Sequence, residues 1–304
     1  MVKVLVNISA GRGKVSKVMG DVEAILVRNN IEHEVLMPKS EVEAGALAAE
    51  LGEVENQRIV VVGGDGTVRA IAVEMVSRPG ILGIVPAGSG NDFAKALRLP
   101  IGDLSACVTS AISREPVIAD AGSVRVETVD GKKTSEFFVN TLGIGIDAAI
   151  GYRAHRIQWL RGFPLYFLSL LQVLPSYRPR RYEVTIDGKP YPGSYHMIVL
   201  GNGICEGGGF FVTPDADISD GLFDICLIRG VSKWNVIKIL PMILLKKHHL
   251  LKEVTFVRGR EVSVRCEHGT AVHADGENLG LNVRKVEVSL KPKVLKIVQE
   301  PLGS

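Results

Sequence analysis

The chain has 304 residues, 46% of them apolar, and 36 Lys and Arg stand against 33 Asp and Glu for a formal net charge of +3. That length carries two domains with sizeable cores, and so nearly balanced a charge gives no general case for a nucleic-acid binder. No run of about 20 apolar residues could span a bilayer. Four scattered cysteines, Cys107, Cys205, Cys226 and Cys266, form no CxxC pair and read as buried thiols of a reducing compartment.

The first residues, MVKVLVNI, read as a strand and not as a signal peptide. The expectation is a cytoplasmic protein, with peripheral contact at the inner membrane surface allowed. The strand over 2–8 runs into a loop, Asn7 to Lys14, whose glycines and lysine suit phosphate contact. A helix over 16–29, a strand over 32–36 and a helix over 42–51 follow. Residues 59–62, Ile-Val-Val-Val, are β-branched and too few for a helix, so they read as a strand buried on both faces. The run stops at Gly63-Gly64-Asp65-Gly66-Thr67, and Val68, Ile71, Ala72, Met75 and Val76 then recur at helical spacing. The same grammar returns at once: a strand over 81–85, the loop Gly88-Ser89-Gly90-Asn91-Asp92, and a helix over 93–99.

Glycine loops that open helices leave backbone N–H groups where a phosphate can sit. One such loop could be an ordinary turn. Two from consecutive strands of a parallel sheet make a nucleotide crevice. Asp65, inside the first loop, would repel phosphate unless a magnesium ion stood between them.

Beyond Pro116 strands dominate. Residues 117–128 and 135–142 are separated by the hairpin signal Asp130-Gly131. A long helical stretch follows 143–147 and carries the apolar run 163–174. Strands over 182–186 and 196–200 flank a turn at Asp187-Gly188. A strand over 222–228 and a helix capped by Ser232 and running to Lys247 come next, then short strands at 254–257, 261–266, 271–274, 286–290 and 294–298. The expected fold is α/β. A doubly wound parallel-sheet nucleotide domain spans 1–120, with 291–304 returning to it. A mostly antiparallel β-sandwich with inserted helices spans 121–290. Asp215, Asp217 and Asp220 precede Gly221. Clustered carboxylates without cations repel, so a divalent ion is one reading and a solvated acidic turn the other.

GGDGT at 63–67, PAGSGNDFAKAL at 86–97, GIGIDA at 143–148 and PDADISDGLFDICLI at 214–228 together resemble the diacylglycerol kinase catalytic-domain family, closest to its soluble prokaryotic lipid kinases. Two positions depart from the family pattern: Ile8 where proline usually follows the asparagine, and Ser89 where threonine is common. The resemblance implies an NAD-kinase/phosphofructokinase-like nucleotide domain and transfer of the γ-phosphoryl of ATP to a lipid hydroxyl, at a site between the two domains. It implies Gly63, Gly64, Gly66 and Thr67 as the phosphate cradle and Asp65 at the magnesium. Asn7, Lys14, Ser89, Gly90 and Asn91 would line the nucleotide. Asp275, in His273-Ala274-Asp275-Gly276-Glu277, would be the base that takes the hydroxyl proton, supported by Glu277. Read without the family, the same Asp-Gly is a hairpin turn. Asp120 matches another acidic residue of the family's site, and a structural magnesium is expected at Asp215, Asp217 and Asp220.

The acceptor is diacylglycerol or a similar lipid alcohol. Family members are often dimers, and no interface stands out in the sequence. Two helical stretches join apolar residues to cations. The first has Leu165, Phe167, Leu168, Leu171 and Leu174 with Arg161, Arg178, Arg180 and Arg181. The second has Trp234, Ile237, Leu240, Ile243 and Leu244 with Lys246, Lys247, His248 and His249. Such stretches lie at an anionic membrane surface or are core stripes with a solvated charged face. Two other readings compete. NAD kinases share GGDGT, and the GSGNDFA loop and cationic helices speak against that. A catalytically weak nucleotide- or lipid-binding regulator would be expected to lack Asp65 or Asp275, and both are present.

Overall fold

The computed structural model describes residues 1–7, 14–157, 159–160 and 162–301, without the side chains at 14, 16, 17, 233 and 234. The chain forms two compact units, Met1–Asp120 with Pro292–Ser304, and Ala121–Lys291. It is an α/β chain of a parallel-sheet unit and a β-sandwich unit.

In the first unit the strands are β1 (Val2–Val6), β2 (His33–Leu36), β3 (Arg58–Gly63) and β4 (Ile81–Pro86). The end of the last strand, β14 (Glu277–Val298), joins them through Ile297 beside Leu82. The order is β14-β4-β3-β1-β2 and every pairing is parallel. Ile59, Val60, Val61 and Val62 are all buried, and each such side chain is worth about 1.5–3 kcal/mol out of water. The helices are α1 (Lys14–Arg28), α2 (Glu41–Gly52), α3 (Asp65–Glu74), α4 (Asp92–Ala96) and α5 (Leu104–Ser113). The sequence pattern gave no warning of α5. Asp103 caps it by accepting the Ala106 amide, and the Arg58 guanidinium holds the carbonyls of Ala111 and Arg114 at its end.

The register sets the functional edge. Val6 lies beside Val62, Val62 beside Val85, and Gly63 beside Pro86. Asn7 and both glycine loops therefore leave the sheet on one side, at the carboxyl ends of β1, β3 and β4. The two loops touch: a Cβ on Gly88 would lie 2.7 Å from the Gly64 Cα, and one on Gly64 would lie 3.2 Å from the Gly88 Cα.

The second unit begins within β5 (Pro116–Thr128), followed by β6 (Lys133–Phe138), β7 (Thr141–Gly145), α6 (Ile146–Ala154) and α7 (Gly162–Val173). Next come β8 (Arg180–Ile186), β9 (Lys189–Pro190), β10 (Gly193–Gly201), β11 (Phe223–Arg229), α8 (Lys233–Leu244), β12 (Val254–Gly259) and β13 (Glu261–Ala274), which leads into β14. Alternation explains the packing. Ile198, Leu200, Ile225 and Leu227 enter the sandwich interior, while Met197, Val199, Cys226 and Ile228 face Leu170, Leu174, Ile239 and Ile243 of α7 and α8.

The single strand expected over 135–142 is broken into β6 and β7, because the amides of 139–141 turn to Asp275. The four short strands expected over 261–298 are two long ones. The chain takes a bulge at 267–269, with Gly269 at φ +69°, and β13 continues. Asp187-Gly188 closes its hairpin with φ +46° and +76°, the primed turn that Asp-Gly favours.

The loop contact gives a prediction with a built-in control. Gly88→Ala pushes a methyl into Gly64 backbone and should cost about 1–3 kcal/mol. Gly20→Ala, in α1 with nothing within 4 Å of the new Cβ, should stabilise by about 0.5–1 kcal/mol. Denaturant midpoints of the two variants should move in opposite directions.

Candidate active site

In the first unit the site is built from loop ends. Helix α3 starts at Asp65, with Gly64 as its extended N-cap. Gly66 and Thr67 thus sit in the helix's first turn, where N–H groups have no partner inside the helix. Asn7 is buried at the end of β1, and its side-chain amide donates to the Thr67 hydroxyl at 3.4 Å. Gly63 ends β3, Gly64 caps α3, and Gly66 and Thr67 lie in its first turn. Lys14 falls outside the described side chains.

Asp65 joins the two glycine loops. Its two oxygens accept the backbone amides of Asn91 and Asp92, each at 2.7 Å. Burial pushes this carboxyl's pKa up and the Asp92 charge adds to that, while the two amides pull it back. Asp65 therefore clamps the first loop to the second. Asn91, at φ +53°, closes the second loop on itself by accepting the Gly88 amide at 2.9 Å and donating to the Gly88 carbonyl at 3.1 Å. Ser89 is exposed and Gly90 half-buried beside it. Asp92 pairs with Lys95 at 3.0 Å. Asp120 is buried and accepts the amide of Lys293 at 2.8 Å, so it braces the returning strand.

In the second unit Asp275 stands in the turn from β13 to β14 at φ +49°. Its carboxylate accepts the amides of Val139, Asn140 and Thr141 at 2.8–2.9 Å, and its own amide donates to the Thr141 carbonyl. Glu277 opens β14 two residues on, half-buried.

The acidic run 215–220 does not gather a ligand set. Asp217 accepts from the Ser219 amide and hydroxyl, Asp220 from the Leu222 amide, and Asp215 is exposed. Arg258 pairs with Asp220 and, at 3.3 Å, with Asp224. The repulsion that suggested a metal is relieved by a cation from β12, which sequence spacing cannot reveal.

A different cluster is assembled instead. Among the described residues, Asp147, Glu206 and His273 bring ligand atoms within 4.8 Å of one another. Asp147 is in the first turn of α6, Glu206 opens a glycine turn, and His273 lies near the end of β13. Gly207, Gly208 and Gly209 take φ of +61°, +82° and +128°, which only glycine adopts freely. This lets Glu206 and Phe210 exchange backbone hydrogen bonds at 3.0 and 2.8 Å. His273 Nε2 is 3.1 Å from Asp147 and 3.6 Å from Glu206, and Glu206 also accepts the Thr141 hydroxyl at 2.9 Å. The Gly276 amide lies 3.3 Å from Nδ1 and donates to it when the ring is neutral, and in either protonation state a proton stands on Nε2. Burial pushes the imidazole pKa down, but Asp147, then Glu206 and Asp275, outweigh it and hold the value up at about 9. Sequence reasoning assigned nothing to Glu206 or His273. The three residues are far apart in the chain, and only the glycines at 143 and 207–209 hint at a tight site.

The apolar stretches are core on one face and open on the other. Leu170, Leu174, Ile239 and Ile243 are buried, while Trp159, Phe163, Phe167, Leu171, Ile237, Leu245 and Leu250 are exposed. Phe163 stacks on Phe167 and Phe210, and Lys246 lies over the Phe211 ring. No helix of the described residues is long and apolar enough to cross a membrane.

The comparisons with known proteins divide the chain in a similar way. The family described as Diacylglycerol kinase catalytic domain matches residues 1–124, and the YegS C-terminal NAD kinase beta sandwich-like domain matches 140–299. A diacylglycerol kinase of Mycobacterium tuberculosis is 30% identical over 247 residues, 81% of this chain and 77% of that protein. The solved structure of a diacylglycerol kinase from Bacillus anthracis shares the fold with a TM-score of 0.72 at 19% identity, covering 99% of this chain and 97% of that one. Yeast NADH kinase shares it more loosely, with a TM-score of 0.53 at 12% identity over 99% of this chain and 84% of that one. Matches to both halves and the identity to the mycobacterial protein place this chain in the diacylglycerol kinase family.

Proposed function

We propose that the protein is an ATP-dependent lipid kinase that moves the γ-phosphoryl group to the hydroxyl of diacylglycerol or a similar lipid alcohol. The observation that carries this reading is the pair of glycine loops in backbone contact at one edge of the parallel sheet, locked by Asp65. Phosphoryl transfer is mainly positioning and charge neutralisation. The first-turn amides of α3 fit a phosphate, since they carry the positive end of the helix dipole. Magnesium would neutralise phosphate charge as the nucleotide's counter-ion. Of the residues expected to bind it, Asp217 and Asp220 are engaged by turns and Arg258, whereas each Asp65 oxygen accepts one amide and keeps a lone pair toward the ion. Asp65 is our assignment for its protein ligand.

Asp275 is our assignment for the group that takes the hydroxyl proton, supported by its place in the Asp-Gly-Glu turn. Its three amide bonds fix the carboxylate in position. The acceptor side carries the aromatic stack Phe167-Phe163-Phe210, with Lys246 over Phe211 and exposed Trp159. An anionic bilayer complements apolar side chains edged by cations, and that is where the lipid substrate resides. A tolerant apolar pocket discriminates a methylene by only about 1–3 kcal/mol, so acceptor range has to be measured.

The deciding assay offers purified protein ATP and magnesium with diacylglycerol in mixed micelles, and in parallel with NAD. Labelled phosphatidic acid is the expected product. Labelled NADP would overturn the reading in favour of the more distant kinase fold-mate. In Asp275→Asn, turnover should fall about 10²–10⁴-fold while ATP binding, a property of the other unit, is kept. The variant also loses an amide acceptor at about 1–3 kcal/mol, so its folding is checked by thermal melting. Retained turnover in a folded variant would remove Asp275 from the role. Vesicle co-sedimentation should show binding to anionic lipid that weakens with salt and falls in Phe163→Ser/Phe167→Ser. Salt-independent binding unchanged in that variant would dismiss this surface.

A further inference from the structure

We propose that Asp147, Glu206 and His273 form a binding site for one divalent transition-metal cation of the zinc or manganese class. The donors are already converged. His273 Nε2 is 3.1 Å from Asp147 Oδ2 and 3.6 Å from Glu206 Oε2. A cation about 2.0–2.2 Å from nitrogen and oxygen donors sets its ligands roughly 3–3.5 Å apart, so it fits with little side-chain movement.

A second observation is independent of the convergence. Asp147 Oδ1 is buried without a hydrogen-bond partner. A buried carboxylate oxygen left unpaired is expensive, and a bound ion is a regular reason for one. The space is also reserved by the backbone. A Cβ on Gly143 would fall 1.8 Å from Asp147 Oδ2 and 2.3 Å from His273 Nε2, so any other residue there would displace the pair.

The donor set selects the ion. One imidazole nitrogen with two carboxylate oxygens suits zinc or manganese, whereas magnesium prefers oxygen and keeps its waters. The acidic run 215–220 offers no imidazole and is answered by Arg258. Without metal, the proton on Nε2 lies between the two carboxylates. When a cation binds, Nε2 gives its proton to solvent and its lone pair to the metal, the ring keeps a proton on Nδ1, and the 3.3 Å contact from the Gly276 amide opens. Starting from the charged ring, one proton leaves for each cation bound. The cation ties the start of α6, the glycine turn and the end of β13 into one unit, beside the turn that holds Asp275.

The test needs neither ATP nor lipid, so its failure is separate from failure of the kinase reading. Metal-free full-length protein is titrated with Zn²⁺ or Mn²⁺ by calorimetry and equilibrium dialysis. One equivalent should bind, and Asp147→Asn, Glu206→Gln, His273→Gln and Gly143→Ala should each weaken it by at least about tenfold. Asp217→Asn/Asp220→Asn should bind as the parent does. Should a ligand variant fail to fold, the wild-type protein still decides: on adding Zn²⁺ the His273 Nε2 ¹⁵N shift must move from that of a protonated nitrogen to that of a metal-bound one while Nδ1 stays protonated. No stoichiometric binding, binding that survives in His273→Gln, or a His273 ring whose shifts do not move would each overturn the site.

Discussion

The carboxylate of Asp275 collects the amides of Val139, Asn140 and Thr141, and the second unit's functional geometry hangs on those three bonds. They end β6 and start β7. They also turn the Asn140 carbonyl toward the amides of Asn202 and Gly203, while the Asn140 side chain donates to the Cys205 carbonyl. Asn202 returns the favour by donating to the Val139 carbonyl at 2.7 Å. Three segments distant in sequence, 139–141, 202–206 and 273–277, are thus fixed by polar bonds in a largely buried place. Such networks hold one arrangement firmly because every alternative leaves groups unpaired. Glu206 and His273 take their positions from it.

The first unit solves a different problem, which is to bring two backbones close enough to leave no room for side chains. Glycine at 64 and 88 permits the approach, and Asp65 makes it stable by giving one oxygen to each of two amides in the opposing loop. A carboxylate that spans two loops preorganises them, so little ordering is left for a bound nucleotide to accomplish. The burial that raises the Asp65 pKa is the cost of that placement, and the two amides offset part of it.

Acidic residues meet opposite fates in the two clusters of the second unit. Asp220 and Asp224 find Arg258 across neighbouring strands, and local turns absorb Asp217. Asp147 and Glu206 both meet the His273 imidazole, and one Asp147 oxygen is left over. The helices show the same dependence on surroundings. Sheet residues of alternating direction bury one face of α7 and α8, and the apolar residues of the other face remain exposed.

The local pattern was enough to identify the parallel sheet, its glycine loops, the hairpin at Asp187-Gly188 and the Ser232 cap. Each depends on residues within a few positions of one another: β-branched runs too short for helices, glycines where backbones must bend, a hydroxyl that reaches an amide three residues on. The family resemblance was equally legible, because its motifs are contiguous. What local pattern cannot encode is which distant group meets a given side chain. Helix α5 was not foreseen, and the bulge at Gly269 joins two stretches expected as separate strands. Local spacing could not show that amides from 26 and 27 residues away hold the Asp65 oxygens, or that Arg258, 38 residues away, meets the acidic run. The cluster of Asp147, Glu206 and His273 spans 126 residues of chain. The pairing of β7 with β13, Gly143 opposite His273, sets the imidazole against the Asp147 carboxylate, and the polar network around Asn140 brings Glu206 to them.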